Sequence, residues 1–372
     1  MMHALSSMAG PKLRRLTKAA LASVLCRTRV NLHVRSPLRA AAPLVLGYHR
    51  VVEHFDPKRH QTMPGMLVSR PMLERHLDTL ARRYRFVSVD ELGEMLEEGR
   101  PADRPLAAVT FDDGYRDVYE NAVPLLVRKG IPAAMFVVSD LVGTRQLLVH
   151  DQLFLALSSA SRQAARLSAF LARWLTVAAV PASARLSVAR ASGDPAQLTA
   201  ALMVCLSQEL TRRLLSALES NFGGAPPADA EGLLPMTWEM LADMQRKGIT
   251  IGSHSCSHAR LANEANSALS RETSASRERL EQRLGVSIRH FAYPNGSFNS
   301  TAVRAVAESG YRFAYTICSH QDRQRPLLTI PRVLLWEYSS VDASGEFMPE
   351  ILDCQARGFM NGKRACQRRS HR

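Results

Sequence analysis

Four times along this chain a helix-like run ends in glycine and passes at once into β-branched or aromatic residues. The segments are LLVRKGIPAAMFVV (125–138), LADMQRKGITIGSH (241–254), LEQRLGVSIRHFAYP (280–294) and AVAESGYRFAYTI (305–317). Glycine just past a helix takes the left-handed backbone that closes its last turn. A strand directly behind it completes an αβ unit, and strands alternating with helices build a largely parallel sheet. The repetition is one of organisation, since the four segments share no sequence. The pattern argues for an α/β fold, and 372 residues suffice for one large domain or two smaller ones.

Other segments fit this plan. PLVLGYH (43–49) and LAAVTF (106–111) read as apolar strands, RFVSV (85–89) as a further strand, and DELGEMLEEG (90–99) as a short helix. In SRPMLERHLDTLARRY the apolar positions Met72, Leu73, Leu77 and Leu80 have helical spacing, with Ser69 placed to cap. Between about 145 and 230 the alternation stops. Ala/Leu-rich stretches with helical spacing replace it, ending at the breaker GGAPPADAEG, which predicts a helical insertion into an α/β domain spanning 43–345.

The charge sits at the ends. Of the formal net charge of +14, eight cations (Lys12 to Arg39) fall in an acid-free leader, 1–42, and five in the last ten residues, within an expected basic tail, 346–372. The middle is close to neutral, which argues against a specific nucleic-acid partner, whose site needs a basic folded surface. A basic leader suits peripheral contact with an anionic membrane, as a partly disordered segment or an amphipathic helix. Six cysteines without a C-x-x-C pair form no disulfide framework. AALASVLC (19–26) is a poor signal segment, so a cytoplasmic or peripheral inner-membrane location is expected over secretion.

Two features carry chemistry. VTFDDGYRD (109–117) sets Asp112 and Asp113 side by side where a strand ends, and ITIGSHSCSH (249–258) sets His254 and His258 behind another. In parallel α/β folds the functional face lies at the carboxyl ends of the strands. Histidines four apart share a face if the backbone turns helically. One aspartate with two histidines makes the three-ligand set of an open hydrolytic metal site, and the other aspartate is then free to act as base. A third feature, HFAYPNGSFN (290–299), is a turn after a strand, able to aim a backbone N–H at a developing oxyanion.

TFDDG (110–114), HSCSH (254–258) and FAYPNG (291–296), in this order, resemble the polysaccharide deacetylases of carbohydrate esterase family 4 over about residues 43–340. GYHRVV (47–52) with FDP (55–57) is similar to their bacterial exopolysaccharide-associated branch. The resemblance implies a deformed (β/α) barrel with fewer strands than eight and a metal-dependent hydrolase that removes N-acetyl groups from an amino-sugar polysaccharide. It implies Asp112 as general base, Asp113, His254 and His258 as ligands of a divalent metal, zinc above others, and the N–H of Asn295 as oxyanion donor. Tyr115, Tyr293 and Pro294 become expected substrate contacts, with Phe298, Trp238 and Trp336 as further aromatic walls.

Two departures stand out. Where the family places an arginine that positions the base, this chain has Ala292, and the late Leu-x-His motif that supplies the general acid is missing. His49, His320 and His150 are the candidate replacements, of which His49, in YHRV at a strand end, is preferred. The departures keep a second expectation open: an impaired deacetylase fold that serves as a binding or assembly component of a polysaccharide synthesis complex.

Overall fold

The computed structural model describes residues 43–56, 62–63, 65–223 and 230–358. The expected leader lies outside them. The strands are β1 Leu44–Tyr48, β2 Arg50–Val52, β3 Leu67–Ser69, β4 Arg85–Phe86, β5 Leu106–Phe111, β6 Ala133–Val137, β7 Thr250–Ser253, β8 His290–Ala292, β9 Phe313–Thr316, β10 Ile330–Pro331 and β11 Val333–Leu334. The main sheet runs β10-β9-β8-β7-β6-β5-β1-β11, and β4 pairs with the start of β5. These pairings are parallel. The two ends of that order, β10 and β11, belong to one segment interrupted by Arg332 alone. The sheet therefore curls until its edges meet, and the fold is a nearly closed parallel barrel flanked by helices. The sheet has nine strands, or eight when the 330–334 segment is counted once, and not the fewer than eight that the resemblance implies.

The αβ glycines behave as the sequence requires. Gly130, Gly248, Gly285 and Gly310 have φ of 62, 79, 68 and 82°, in the region that L side chains avoid. Helix α1 (Arg70–Ala81) starts where the Ser69 hydroxyl accepts from Met72 N–H, and it buries Met72, Leu73, His76, Leu77 and Leu80. Helix α2 (Val89–Glu98) is capped by Ser88 and stopped by left-handed Gly99. Its Val89 and Leu92 join Val45, Ala108, Ala134, Phe136, Ala292, Phe313 and Tyr315 in one buried cluster. Small and large residues interdigitate there: a Cβ on Gly252 would fall 2.6 Å from the Phe136 ring.

Ahead of a helix over Trp238–Arg246 that leads into β7, five helices follow β6: α3 (Val149–Ala160), α4 (Ala164–Val177), α5 (Ala182–Arg190), α6 (Pro195–Cys205) and α7 (Gln208–Phe222). They have their own core, including Leu153, Leu157, Leu171, Leu202 and Leu214. Two expectations need correction. RFVSV pairs over only two residues, β4, because Ser88 turns out to cap α2. The basic tail does not begin at 346: helix α8 (Pro349–Ala356) buries Ile351 and Leu352, so the chain is still building the domain there. Among the described residues, no helix is long and apolar enough to cross a membrane.

Candidate active site

Asp112 and Asp113 follow β5, His254 follows β7, Tyr293 follows β8 and His49 follows β1, all at carboxyl ends of barrel strands. The backbone there is unusual. Among the described residues, the non-glycine ones with left-handed φ are Asp113 (75°), Ser255 (67°), His258 (63°), Asn295 (55°) and, in the insertion, Ala179 (55°). Each costs about 1–3 kcal/mol unless its surroundings enforce it. Four of these five fall in the three motifs, so this backbone is held to aim particular side chains and N–H groups.

Asp113, His254 and His258 are buried, and one ligand atom from each lies within 4.8 Å of the others. Asp113 Oδ1 is 3.4 Å from His254 Nε2 and 3.2 Å from His258 Nε2. Atoms about 2.0–2.2 Å from a tetrahedral ion sit about 3.3–3.6 Å apart, so the spacing suits a cation held between them. The hydrogen bonding agrees. His254 Nδ1 lies 2.8 Å from the Ala292 carbonyl, which only accepts; Nδ1 therefore carries the proton and Nε2 presents its lone pair. Neither Asp113 oxygen has a hydrogen-bond partner although both are buried, and His258 Nδ1 has none either. A buried carboxylate left that way is costly unless a cation completes it. Burial works against Asp113 ionising, but the two imidazoles hold its pKa well below the carboxylate range.

The partner missing at Ala292 comes from the barrel seam. Arg332 grips Asp112 through two bonds, Nη1–Oδ1 at 2.7 Å and Nη2–Oδ2 at 2.6 Å, and also donates to Thr110 Oγ1 at 3.0 Å. Burial raises the Asp112 pKa, yet Arg332 and His254 outweigh it and leave the carboxyl ionised below its ordinary range. His49 is half-buried beside this pair. Burial lowers its pKa, opposed by the charges of Asp113 and Asp112.

A family model for polysaccharide deacetylases matches residues 99–164 and 206–314, on either side of most of the insertion. The chain belongs to the polysaccharide deacetylase family. It is 29% identical over 90 residues to "Putative polysaccharide deacetylase YxkH" of Bacillus subtilis (strain 168), a stretch covering 24% of this chain and 32% of that protein. The chain thus spans about a third of that curated relative. Two solved structures share the fold. IcaB from Ammonifex degensii has a TM-score of 0.51 at 19% identity, covering 85% of this chain and 97% of its own. The deacetylase PplD of Streptococcus pyogenes, in complex with acetate, has a TM-score of 0.50 at 15% identity, covering 82% and 95%.

In this polysaccharide deacetylase family member the histidine loop is not helical. His254 and His258 converge through two left-handed residues instead, and their ring centroids are 5.0 Å apart. Buried Glu272 holds the loop by accepting from Ser257 N–H (2.9 Å) and Ser257 Oγ (2.8 Å). The insertion grips it as well: Gln208, opening α7, donates to the Ser257 carbonyl. Asn263 donates back to the Val204 and Leu206 carbonyls. His150, opening α3, brings its ring centroid to 4.8 Å from that of His258.

The expected substrate contacts sit differently. Tyr115 and Tyr293 are 0% exposed, so neither presents a ring face to a sugar. Tyr115 is instead held by Asp151 and His150, and Tyr293 packs against Phe291 and Phe298. Pro294 is buried within its turn and Phe298 in the core, which leaves half-buried Trp238 and Trp336 as possible walls. Asn295 is exposed, and the turn's bonds use Gly296 N–H and Ser297 N–H rather than its own. His320 is exposed and stacks on Phe298. Arg332, Glu272 and Gln208 are the site residues that sequence reasoning missed.

Proposed function

We propose that this protein is a metal-dependent hydrolase that removes N-acetyl groups from an amino-sugar polysaccharide or glycan precursor in exopolysaccharide or envelope metabolism. One observation carries the reading: Asp112, locked by a buried arginine, stands next to Asp113, whose unpartnered carboxylate faces two imidazoles. Asp113, His254 and His258 would hold the cation, and their mixed N/O donor set suits zinc. A cation bound there polarises an acetamide carbonyl and acidifies water.

The chain's own groups do the rest. Asp112, ionised by Arg332, takes a proton from the attacking water. The N–H of Asn295 donates to the carbonyl oxygen as it gains negative charge. His49 gives a proton to the sugar nitrogen as the C–N bond breaks, leaving acetate and a free amine. Acetate, the small molecule present with PplD, is the product expected here. Arg332 beside Asp112 answers one of the two departures that favoured the non-catalytic reading, and His49 is our candidate for the other. We further place the protein in the cytoplasm or at the inner membrane, with the basic leader as the membrane contact.

The test is acetate release from N-acetylglucosamine oligomers, chitin oligomers, peptidoglycan and acetylated xylan, with zinc or cobalt added. Asp112→Asn should abolish turnover and keep metal binding, whereas His254→Ala should lose the metal. Equal turnover in wild type and Asp113→Ala would refute the metal reading.

A further inference from the structure

His150 and Asp151, the second and third residues of α3, carry the insertion's contact with Tyr115 and are 3% and 0% exposed. Asp151 Oδ2 accepts from the Tyr115 hydroxyl at 2.7 Å, and the same hydroxyl lies 2.9 Å from His150 Nε2. Tyr115 has one proton and gives it to the carboxylate. In its other contact the Tyr115 oxygen must then accept, so His150 Nε2 carries hydrogen and donates to it. That N–H lies 3.9 Å from Asp113 Oδ2. Of the two Asp113 oxygens, Oδ1 is the one that both metal-site imidazoles approach. Oδ2 is buried and has no hydrogen-bond partner. A carboxylate that ligates through one oxygen normally has its other oxygen bonded by a neighbouring donor.

We propose that the helical insertion supplies a positioning residue, His150, whose Nε2–H is shared between the Tyr115 oxygen and Asp113 Oδ2 when the cation is bound and so keeps Asp113 a one-oxygen ligand. Tyr115 and Asp151 fix the tautomer and the aim of the ring. A shift of about 1 Å closes the gap to hydrogen-bond distance. The proposal rests on the metal site of the preceding section. It also gives the insertion a task, since α3 steadies the aspartate ligand while α7 steadies the loop of the histidine ligands through Gln208.

The experiment titrates the full chain with cobalt(II) at about pH 8 and follows affinity and visible absorption. His150→Phe should bind about 10–100-fold more weakly. Its absorption should weaken as Asp113 turns to two-oxygen ligation and the coordination number rises. His150→Gln, which keeps an N–H donor, should recover part of both. Tyr115→Phe should shift affinity the same way, and it carries the test if His150→Phe does not fold. Wild-type affinity and spectrum in folded His150→Phe, or in Tyr115→Phe, overturn the inference alone. A wild type that takes up no cobalt overturns the metal reading and this inference together.

Discussion

Replacing Arg332 by methionine removes the guanidinium and keeps much of the apolar stem. Asp112 then loses two charge-assisted bonds, each worth about 1.5–3 kcal/mol, and Thr110 loses one donor. Stripping one partner from a buried ion pair costs about 3–5 kcal/mol, which agrees with that sum. The cost depends on pH, and its direction follows from the burial. In the wild type the Asp112 pKa is depressed, so its contribution is present above the unfolded carboxylate value of 3.8 and is lost as pH falls through the lower folded value. In the variant burial is the main influence left, and it raises the pKa. Ionised Asp112 then destabilises the fold, so the deficit is largest at alkaline pH and shrinks in acid, where the carboxyl takes a proton. Urea unfolding at about pH 5 and pH 8 measures this. Acetate release against pH reads the same change: the acid limb moves to higher pH, and the rate falls by about 10²–10⁴, the worth of a general base. Arg332→Lys should recover charge but not the two-pronged grip, and so fall between. An unchanged urea midpoint at both pH values, with an unmoved acid limb, would show that Arg332 does not control Asp112.

Two further outcomes follow from the same geometry. His49→Gln should cut acetate release by about 10²–10⁴ and flatten the alkaline limb, which burial of His49 places below the ordinary histidine value of 6.5; an unchanged profile removes His49 as the acid. Glu272→Ala leaves Ser257 N–H and Oγ without their acceptors in a buried loop, so unfolding should be easier by about 2–4 kcal/mol and zinc should bind at least about 10-fold more weakly. Unaltered zinc affinity in that variant would show that the loop holds its shape without Glu272.

The alternation of helices and strands was legible because glycine punctuation and apolar runs are local signals, and the barrel follows once such units are laid side by side. The aspartate and histidine positions were legible because motif and strand end coincide. The rest of the site depends on distance in space. Arg332 lies 220 residues from its partner. Its one clue is an arginine inside the apolar run TIPRVLLW, a cation that a barrel strand has to bury and pair. Glu272 reads as one more acid on a charged helix surface; only the fold turns it inward, to 2% exposure, against Ser257. Tyr115 and Tyr293 misled for a related reason. An aromatic beside a motif looks available to substrate until the packing around it is known. The histidine spacing suggested a helical turn, but four residues can also be brought together by two left-handed backbone positions, which Ser255 and His258 adopt at the expense of local strain.

The exchange of Ala292 for Arg332 has a geometric logic. The buried Asp112 carboxylate needs a cation inside the barrel mouth, and any neighbouring wall can deliver one. Ala292 is on β8, 0% exposed, with its carbonyl already occupied by His254 Nδ1. A long side chain there would compete for the space of Phe136 and Tyr315, which share its cluster. The seam has more freedom. Arg332 interrupts two short strands, and its N–H is satisfied by the Thr316 carbonyl at 2.7 Å. Its guanidinium lies over the Phe136 ring at 5.5 Å while reaching Asp112. The break between β10 and β11 is thus the place where the barrel closes and also the place from which Asp112 is held ionised. A barrel that failed to close would leave Asp112 buried and unpaired, so the ion pair ties completion of the fold to readiness of the site.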